Sequence, residues 1–320
     1  MPAYAPDIYI SSRSIVITPG QFILARTAVS PYIGLAVATV AVSFSAIFIS
    51  ETTAPPLVTA TYRMALTAAI LVPLALRRRQ SQRSSITGQA GVARAALTGR
   101  DYALLMAAGA LLALHFATWT VSLFYTSVAS STLFVTVHPV LVAALAWAWL
   151  GERPRPIVAA GIALTLLGSL VIAGGDVRLG GRALIGDGLA LAGAVVFAFY
   201  LLIGRRVRQR LDPIAYSTPV YLCCAVVLAA IAIVGRQPFT PLTWHNLALF
   251  VALALVCTLG GHFVYNWTLK YLDTAVVSVS FLGEPVIAAA LAWPLLGQPI
   301  HPLTFAGGAI ILAGIYLCTK

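Results

Sequence analysis

Ten runs of about 20 mostly apolar residues follow one another along this 320-residue chain, and nearly every charge falls between them. A run of this length crosses the roughly 30 Å hydrocarbon core of a bilayer as an α-helix. The runs cover 32–50, 57–76, 101–122, 127–150, 157–174, 186–204, 214–234, 244–269, 274–296 and 302–319. They are continuous in apolarity rather than alternating. Lipid offers no partner for backbone N–H and C=O groups, so each run must satisfy its own as a helix. Charged residues make up only 9% of the chain, against about a quarter in soluble domains. The pattern predicts an all-α integral membrane protein of ten transmembrane helices.

A formal net charge of +11 raises nucleic acid as a partner, but its distribution argues against one. The arginines sit in short clusters between apolar runs, as in cytoplasmic membrane loops. With the N-terminus placed inside, the inner segments hold 16 Lys and Arg residues and the outer ones three, Arg178, Arg182 and Arg236. This predicts a multi-pass protein of the inner membrane with both termini cytoplasmic. Residues 1–31 read as a cytoplasmic segment without a cleavable signal, and 77–100 as a flexible cytoplasmic loop rich in Arg. Cys223, Cys224, Cys257 and Cys318 lie in apolar runs without metal-ligand spacing and read as small buried side chains. Trp147, Trp149, Trp293, Trp244 and Tyr32 read as interface anchors.

The chain also repeats itself. HPVLVAALAWAWLG at 138–151 matches EPVIAAALAWPLLG at 284–297 with an offset of 146. The same offset carries Tyr125 to Tyr271, Gly161 to Gly307 and Gly168 to Gly314. Shared hydrophobicity alone does not keep Pro, Trp and Gly in register. The repeats read as 32–174 and 186–319, five helices each. Five is odd, so the second copy enters the membrane from the opposite side. Inverted repeats of this kind are a transporter architecture, with the site between the halves near mid-membrane.

These motifs resemble the drug/metabolite transporter superfamily, in its ten-helix branch with two EamA domains. The resemblance rests on SLFYTSVASSTLF at 122–134, on the HPV segment ending at Glu152, and on TLKYLDTAVVSVSFLGEP at 268–285. It covers nearly all of 32–319. Gln298 departs from the pattern, since the family often has a Glu there, as at Glu152. Membership implies export of amino acids, nucleotide precursors or other metabolites, and the aromatic amino acid exporters fit the chemistry best. The resemblance also implies an Arg at Arg63 across varied substrates, which favours a structural role for it.

Ionisable groups inside a span are costly and should face a cavity or a partner. Arg63 is a candidate counter-charge for a substrate carboxylate; the bland alternative is snorkelling or a pair with Glu51 or Glu284. Glu284 and its repeat partner His138 each precede a Pro, which weakens the helix and frees a backbone carbonyl. Either could meet a proton or an ammonium. His115, Trp119 and Ser122 share one face of the third run at i, i+4 and i+7. Thr258, His262, Tyr265 and Asn266 share one face of the eighth at i, i+4, i+7 and i+8. The two stripes predict a pocket between the halves. Phe44, Phe48 and Tyr200 read as core. The Gly161, Gly168, Gly307 and Gly314 faces predict close packing of the fifth and tenth helices, outside the cavity.

The expected function is therefore secondary export of an amino acid by alternating access, with aromatic or bulky apolar side chains favoured. The alternative is export of lipophilic cations by proton exchange at Glu284. There is no phosphate-binding GxxxxGK[ST] loop and no HExxH or paired-carboxylate motif, so neither ATP drive nor an enzyme is expected. No cofactor or metal is implied. The expected partners are a small-molecule substrate and the lipid bilayer, with no nucleic acid, and the chain is read as a monomer.

Overall fold

The computed structural model describes residues 30–86, 98–150, 155–178, 181–208, 210–239, 242–268, 271–272, 277, 280–281 and 283–318. Segment 1–29, part of the Arg-rich loop, Glu152 and Lys270 lie outside the described residues, as do the side chains of Trp147, Trp149 and Cys318. The described residues form eleven helical elements: α1 (Pro31–Ser50), α2 (Pro56–Ile86), α3 (Gly99–Ser122), α4 (Val128–Val135), α5 (His138–Leu150), α6 (Pro156–Arg178), α7 (Arg182–Arg208), α8 (Pro213–Val234), α9 (Trp244–Thr268), α10 (Gly283–Leu296) and α11 (Pro302–Cys318). Seven of these are long and apolar enough to cross a bilayer, and shorter apolar helices at Val128–Val142, Gly283–Leu296 and Pro302–Leu317 complete ten crossings. Polar residues at the helix starts satisfy the free N–H groups there. Ser127, Asp212 and Thr243 cap α4, α8 and α9, and Thr98 with Asp101 closes a capping box on α3.

Three features depart from the sequence reading. The fourth crossing is not one helix but two, α4 and α5, broken at Thr136–Val137. Pro139 has no N–H to offer the carbonyl of Val135, so the ladder opens there. Helix α2 continues through the first Arg cluster to Ile86, because Arg and Gln are good helix formers. Within α9, residues Leu253–Phe263 are π-helical. The Thr258 hydroxyl follows that pitch and donates to the carbonyl of Leu253, five residues back, at 3.0 Å.

The packing obeys the repeat. Exchanging the halves maps α1 onto α7, α2 onto α8, α3 onto α9, the α4–α5 pair onto α10, and α6 onto α11. The observed neighbours obey this exchange: α3 packs on α7 and α1 on α9; α3 on α8 and α2 on α9; α4 on α7 and α1 on α10. The pairs α2 with α8, α4 with α10 and α6 with α11 map onto themselves. The fold is thus two inverted five-helix repeats, interleaved so that each half packs mainly on the other. Helices α6 and α11 meet through the four glycines: Gly168 touches Gly307, and Gly314 touches Gly161. With so little side chain between them the backbones approach closely. The main core cluster lies among α1, α2, α3, α4, α7, α8, α9 and α10.

Polar ties close both ends of the bundle. At one end Asn246 on α9 holds the α1–α2 turn, accepting from the Thr53 N–H at 3.1 Å and donating to the Thr53 hydroxyl at 3.0 Å. Thr126 donates to Asp187 at 2.9 Å, and Val128 N–H to the Gln298 amide oxygen at 3.1 Å. At the other end Arg210 pairs with Asp101 at 3.7 Å and Arg78 with Asp212 at 3.9 Å.

Candidate functional site

A small cavity lies where the halves meet. Its walls are His115 and Trp119 from α3, Val135 and Thr136 at the end of α4, His138 at the start of α5, Phe197 from α7, His262 from α9, and Phe281 and Glu284 at the start of α10. Five of the nine residues singled out in the sequence therefore converge: His115, Trp119, His138, His262 and Glu284. The free volume is about 20 Å³, room for about one water molecule.

Backbone carbonyls fix two of the three histidines. His115 Nδ1 lies 3.0 Å from the Gly193 carbonyl oxygen, and His138 Nδ1 lies 3.2 Å from that of Val135. The second carbonyl is the one Pro139 leaves without its helical donor. A carbonyl can only accept, so each Nδ1 carries the hydrogen and the Nε2 of each neutral ring is left as an acceptor. Together with the Glu284 carboxylate, the cavity presents acceptors. Its walls are aromatic: the Phe197 ring lies 4.5 Å from His115 and 4.9 Å from His138, and Phe281 lies 5.2 Å from His138. Trp119 is parallel to His115 at 6.3 Å. It is 3% exposed, and its Nε1–H has no acceptor among the described residues.

The other four residues stand behind these walls. Ser122 donates to the Trp119 carbonyl and shares a 2.6 Å hydrogen bond with Ser131. Tyr265 donates to Thr39 at 2.8 Å, and its ring stacks on Phe281 at 4.3 Å. Asn266 lies beside the Tyr221 hydroxyl of α8. Arg63 donates from Nε to Thr258 at 2.8 Å and lies under the Phe116 ring, 4.5 Å from Cζ to the centroid. It makes no ion pair within 4.0 Å with Glu51 or Glu284. The stripe predicted on the eighth run is split because α9 is not wound at 3.6 residues per turn over Leu253–Phe263. Thr258 faces Arg63, His262 the cavity and Tyr265 helix α1.

The sequence reading missed Phe197, Phe281, Val135 and Thr136 as lining residues. A Phe in an apolar run carries no polar signal. Thr136 could have been found from the Pro139 break three residues on. Tyr200 stacks on Phe197 at 5.3 Å, one layer behind the wall, while Phe44 and Phe48 stack on each other at 5.6 Å and pack against the core. A second cavity of about 180 Å³ lies at the end of the bundle tied by Gln298 and Asn246, lined in part by Tyr125, Thr126, Gln298, His301 and Thr304.

The model of the EamA-like transporter family matches residues 29–174 and 184–320, nearly the whole chain in two copies. The chain belongs to the EamA-like transporter family. It is a multi-pass membrane transporter. It is 25% identical over 229 residues to an uncharacterized transporter of Clostridium kluyveri, covering 68% of this chain and 72% of that one. It is 27% identical over 201 residues to a probable terminal-alkyne amino-acid exporter of Streptantibioticus cattleyicolor, covering 60% and 64%. It is 27% identical over 177 residues to a probable amino-acid metabolite efflux pump of Salmonella typhimurium, covering 52% and 58%. This EamA chain therefore spans roughly three-fifths of each of the two named exporters. A solved crystal structure superposes with a TM-score of 0.61 at 19% identity, over 90% of this chain and 96% of that one, a likeness of fold.

Proposed function

We propose that this transporter exports amino acids, preferably aromatic or bulky apolar ones, across the inner membrane by alternating access. The observation that carries the reading is the cavity between the halves. It is small, aromatic-walled, and furnished with acceptors from His115, His138 and Glu284 that suit a substrate ammonium. A free amino acid needs several times the present volume, so a rocking of one half against the other must open the site to one side at a time. His262 and Trp119 complete the contacts, and Ser122, Tyr265 and Asn266 hold the contacting side chains in place. The two exporters similar to this chain support the substrate class. Both termini are assigned to the cytoplasm on the 16-to-3 distribution of basic residues.

The test is counterflow in proteoliposomes. Vesicles preloaded with unlabelled phenylalanine, tryptophan, leucine, glutamate or a lipophilic cation are offered the labelled compound. Exchange of the aromatic amino acids, lost in His138→Ala and Trp119→Ala, is the expected result. Exchange of the cation alone would replace the reading with the second one, which Glu284 at the cavity wall favours: drug export at a carboxylate flanked by aromatic rings.

A further inference from the structure

We infer that Arg63 is the carboxylate anchor of this site and that Phe116 is the side chain that moves to uncover it. The inference rests on the amino-acid reading for its biological ligand, but not for its chemistry. Arg63 is 1% exposed, and its Nη1 and Nη2 have no hydrogen-bond partner among the described residues. Only Nε is engaged, by Thr258. A guanidinium presents five donors in a planar fork suited to a carboxylate. A buried cation with two idle nitrogens is expensive unless an anion completes it.

Phe116 is placed to control access. Its ring lies over the guanidinium at 4.5 Å. The same ring meets His262 edge-on at 5.8 Å and His115 at 5.2 Å, and both of those histidines line the cavity. One side chain thus touches the cavity wall and the buried cation. In this conformation the cation–π contact covers the guanidinium face. Displacing the ring joins the two regions into one chamber. That chamber has acceptors at the His138 and Glu284 end and donors at the Arg63 end, the polarity of a zwitterion. The Trp119 Nε1–H, also without a partner among the described residues, is a further donor toward the ligand.

Full-length protein in lipid nanodiscs is treated with phenylglyoxal, and labelling of the Arg63 peptide is read by mass spectrometry. The probes are 3-phenylpropionate and its uncharged amide. In wild type, Arg63 should label slowly, and faster in Phe116→Ala. Phe116→Leu, which keeps apolar bulk should the alanine variant misfold, should lie between. The acid should protect Arg63 and the amide should not. Arg63→Gln should bind the acid about 30-fold more weakly, as when one partner of a buried charge pair is removed, and Arg63→Lys should recover part of that loss. Equal labelling in wild type and both Phe116 variants would overturn the role of Phe116. Equal protection by acid and amide would overturn the anchor. Selective protection by the acid in a protein that exchanges no amino acid would keep the anchor and refute the amino-acid reading.

Discussion

A Cβ atom on Gly168 would fall 2.6 Å from the carbonyl oxygen of Gly307, and one on Gly307 would fall 2.7 Å from that of Gly168. The obstacle is backbone, which cannot swing aside. Gly168→Ala should therefore push α6 and α11 apart and destabilise the protein by about 1–3 kcal/mol, the usual range for overpacking. The helix-propensity gain of up to about 1 kcal/mol for Gly→Ala does not offset it. Gly174, on the same helix with nothing within 4 Å of a Cβ, is the control: Gly174→Ala should be neutral or stabilising. Thermal unfolding in detergent distinguishes the two signs.

That glycine crossing was legible in the sequence because four glycines keep a seven-residue spacing in both repeats. The helices were legible from hydropathy, and the pairing of His138 with Glu284 from the 146-residue offset. The winding of α9 was not. Nothing in LALVCTLGGHF states that its carbonyls will be met five residues on rather than four, although the Gly260–Gly261 pair marks a weak point in the ladder. The Arg63–Phe116 contact was equally hidden, since it joins residues 53 apart through the packing of α2 on α3. Motif spacing reports which residues share a face. It does not report which ring covers which cation.

Gln298 shows what a departure from the family pattern costs. Its amide oxygen takes the N–H of Val128, in the first turn of α4, at 3.1 Å. Gln298→Ala should lose this contact at about 1 kcal/mol, as for other N-terminal helix caps. Gln298→Glu keeps the acceptor and adds a negative charge at a helix N-terminus, so it should be neutral or stabilising by about 0.3–1 kcal/mol. Denaturation midpoints of the two variants should move in opposite directions, or Glu should stay at wild type while Ala falls.

At the opposite end of the bundle, capping should outweigh ion pairing. Arg210 and Arg78 are mostly exposed, and exposed ion pairs contribute about 0–1 kcal/mol. Asp212 caps α8 by accepting from Ile214 and Ala215 N–H, both at 3.1 Å. Arg78→Gln and Arg210→Gln should therefore change stability by less than about 1 kcal/mol, whereas Asp212→Ala should cost about 0.5–2 kcal/mol through the lost cap. A larger effect of Arg210→Gln than of Asp212→Ala would assign the ion pairs a gating role.

The cavity can be mapped with thiols. On a background free of the four native cysteines, His115→Cys, Trp119→Cys and His262→Cys should react with a water-soluble methanethiosulfonate, and Ile311→Cys, fully buried between α6 and α11, should not. The cavity holds only about 20 Å³, too little for the reagent, so reaction must wait for it to widen. Rates should rise under substrate counterflow relative to vesicles without substrate. Uniform inertness of the three positions would reduce the α3 and α9 faces to helix packing.

The last prediction concerns energy coupling. His138 and Glu284 hold equivalent places in the two repeats, and an ion pair between them would leave Glu284 a fixed structural charge in a facilitator. The structure gives His138 a different partner, the Val135 carbonyl at 3.2 Å, and the ion pairs among the described residues do not include Glu284. A cavity-facing carboxylate with no ion-pair partner within 4.0 Å among the described residues can be neutralised in turn by a proton and by the substrate ammonium. Two ligands that compete for one group, each carried across as the halves rock, exchange across the membrane. Wild-type protein should therefore concentrate substrate in proteoliposomes under an imposed pH gradient with the membrane potential clamped. Glu284→Gln should abolish that accumulation yet retain substrate counterflow, because the amide still offers an oxygen to the ammonium but takes up no proton. A wild type that equilibrates substrate without ever exceeding its gradient is a facilitator, and Glu284 then serves only to position the start of α10.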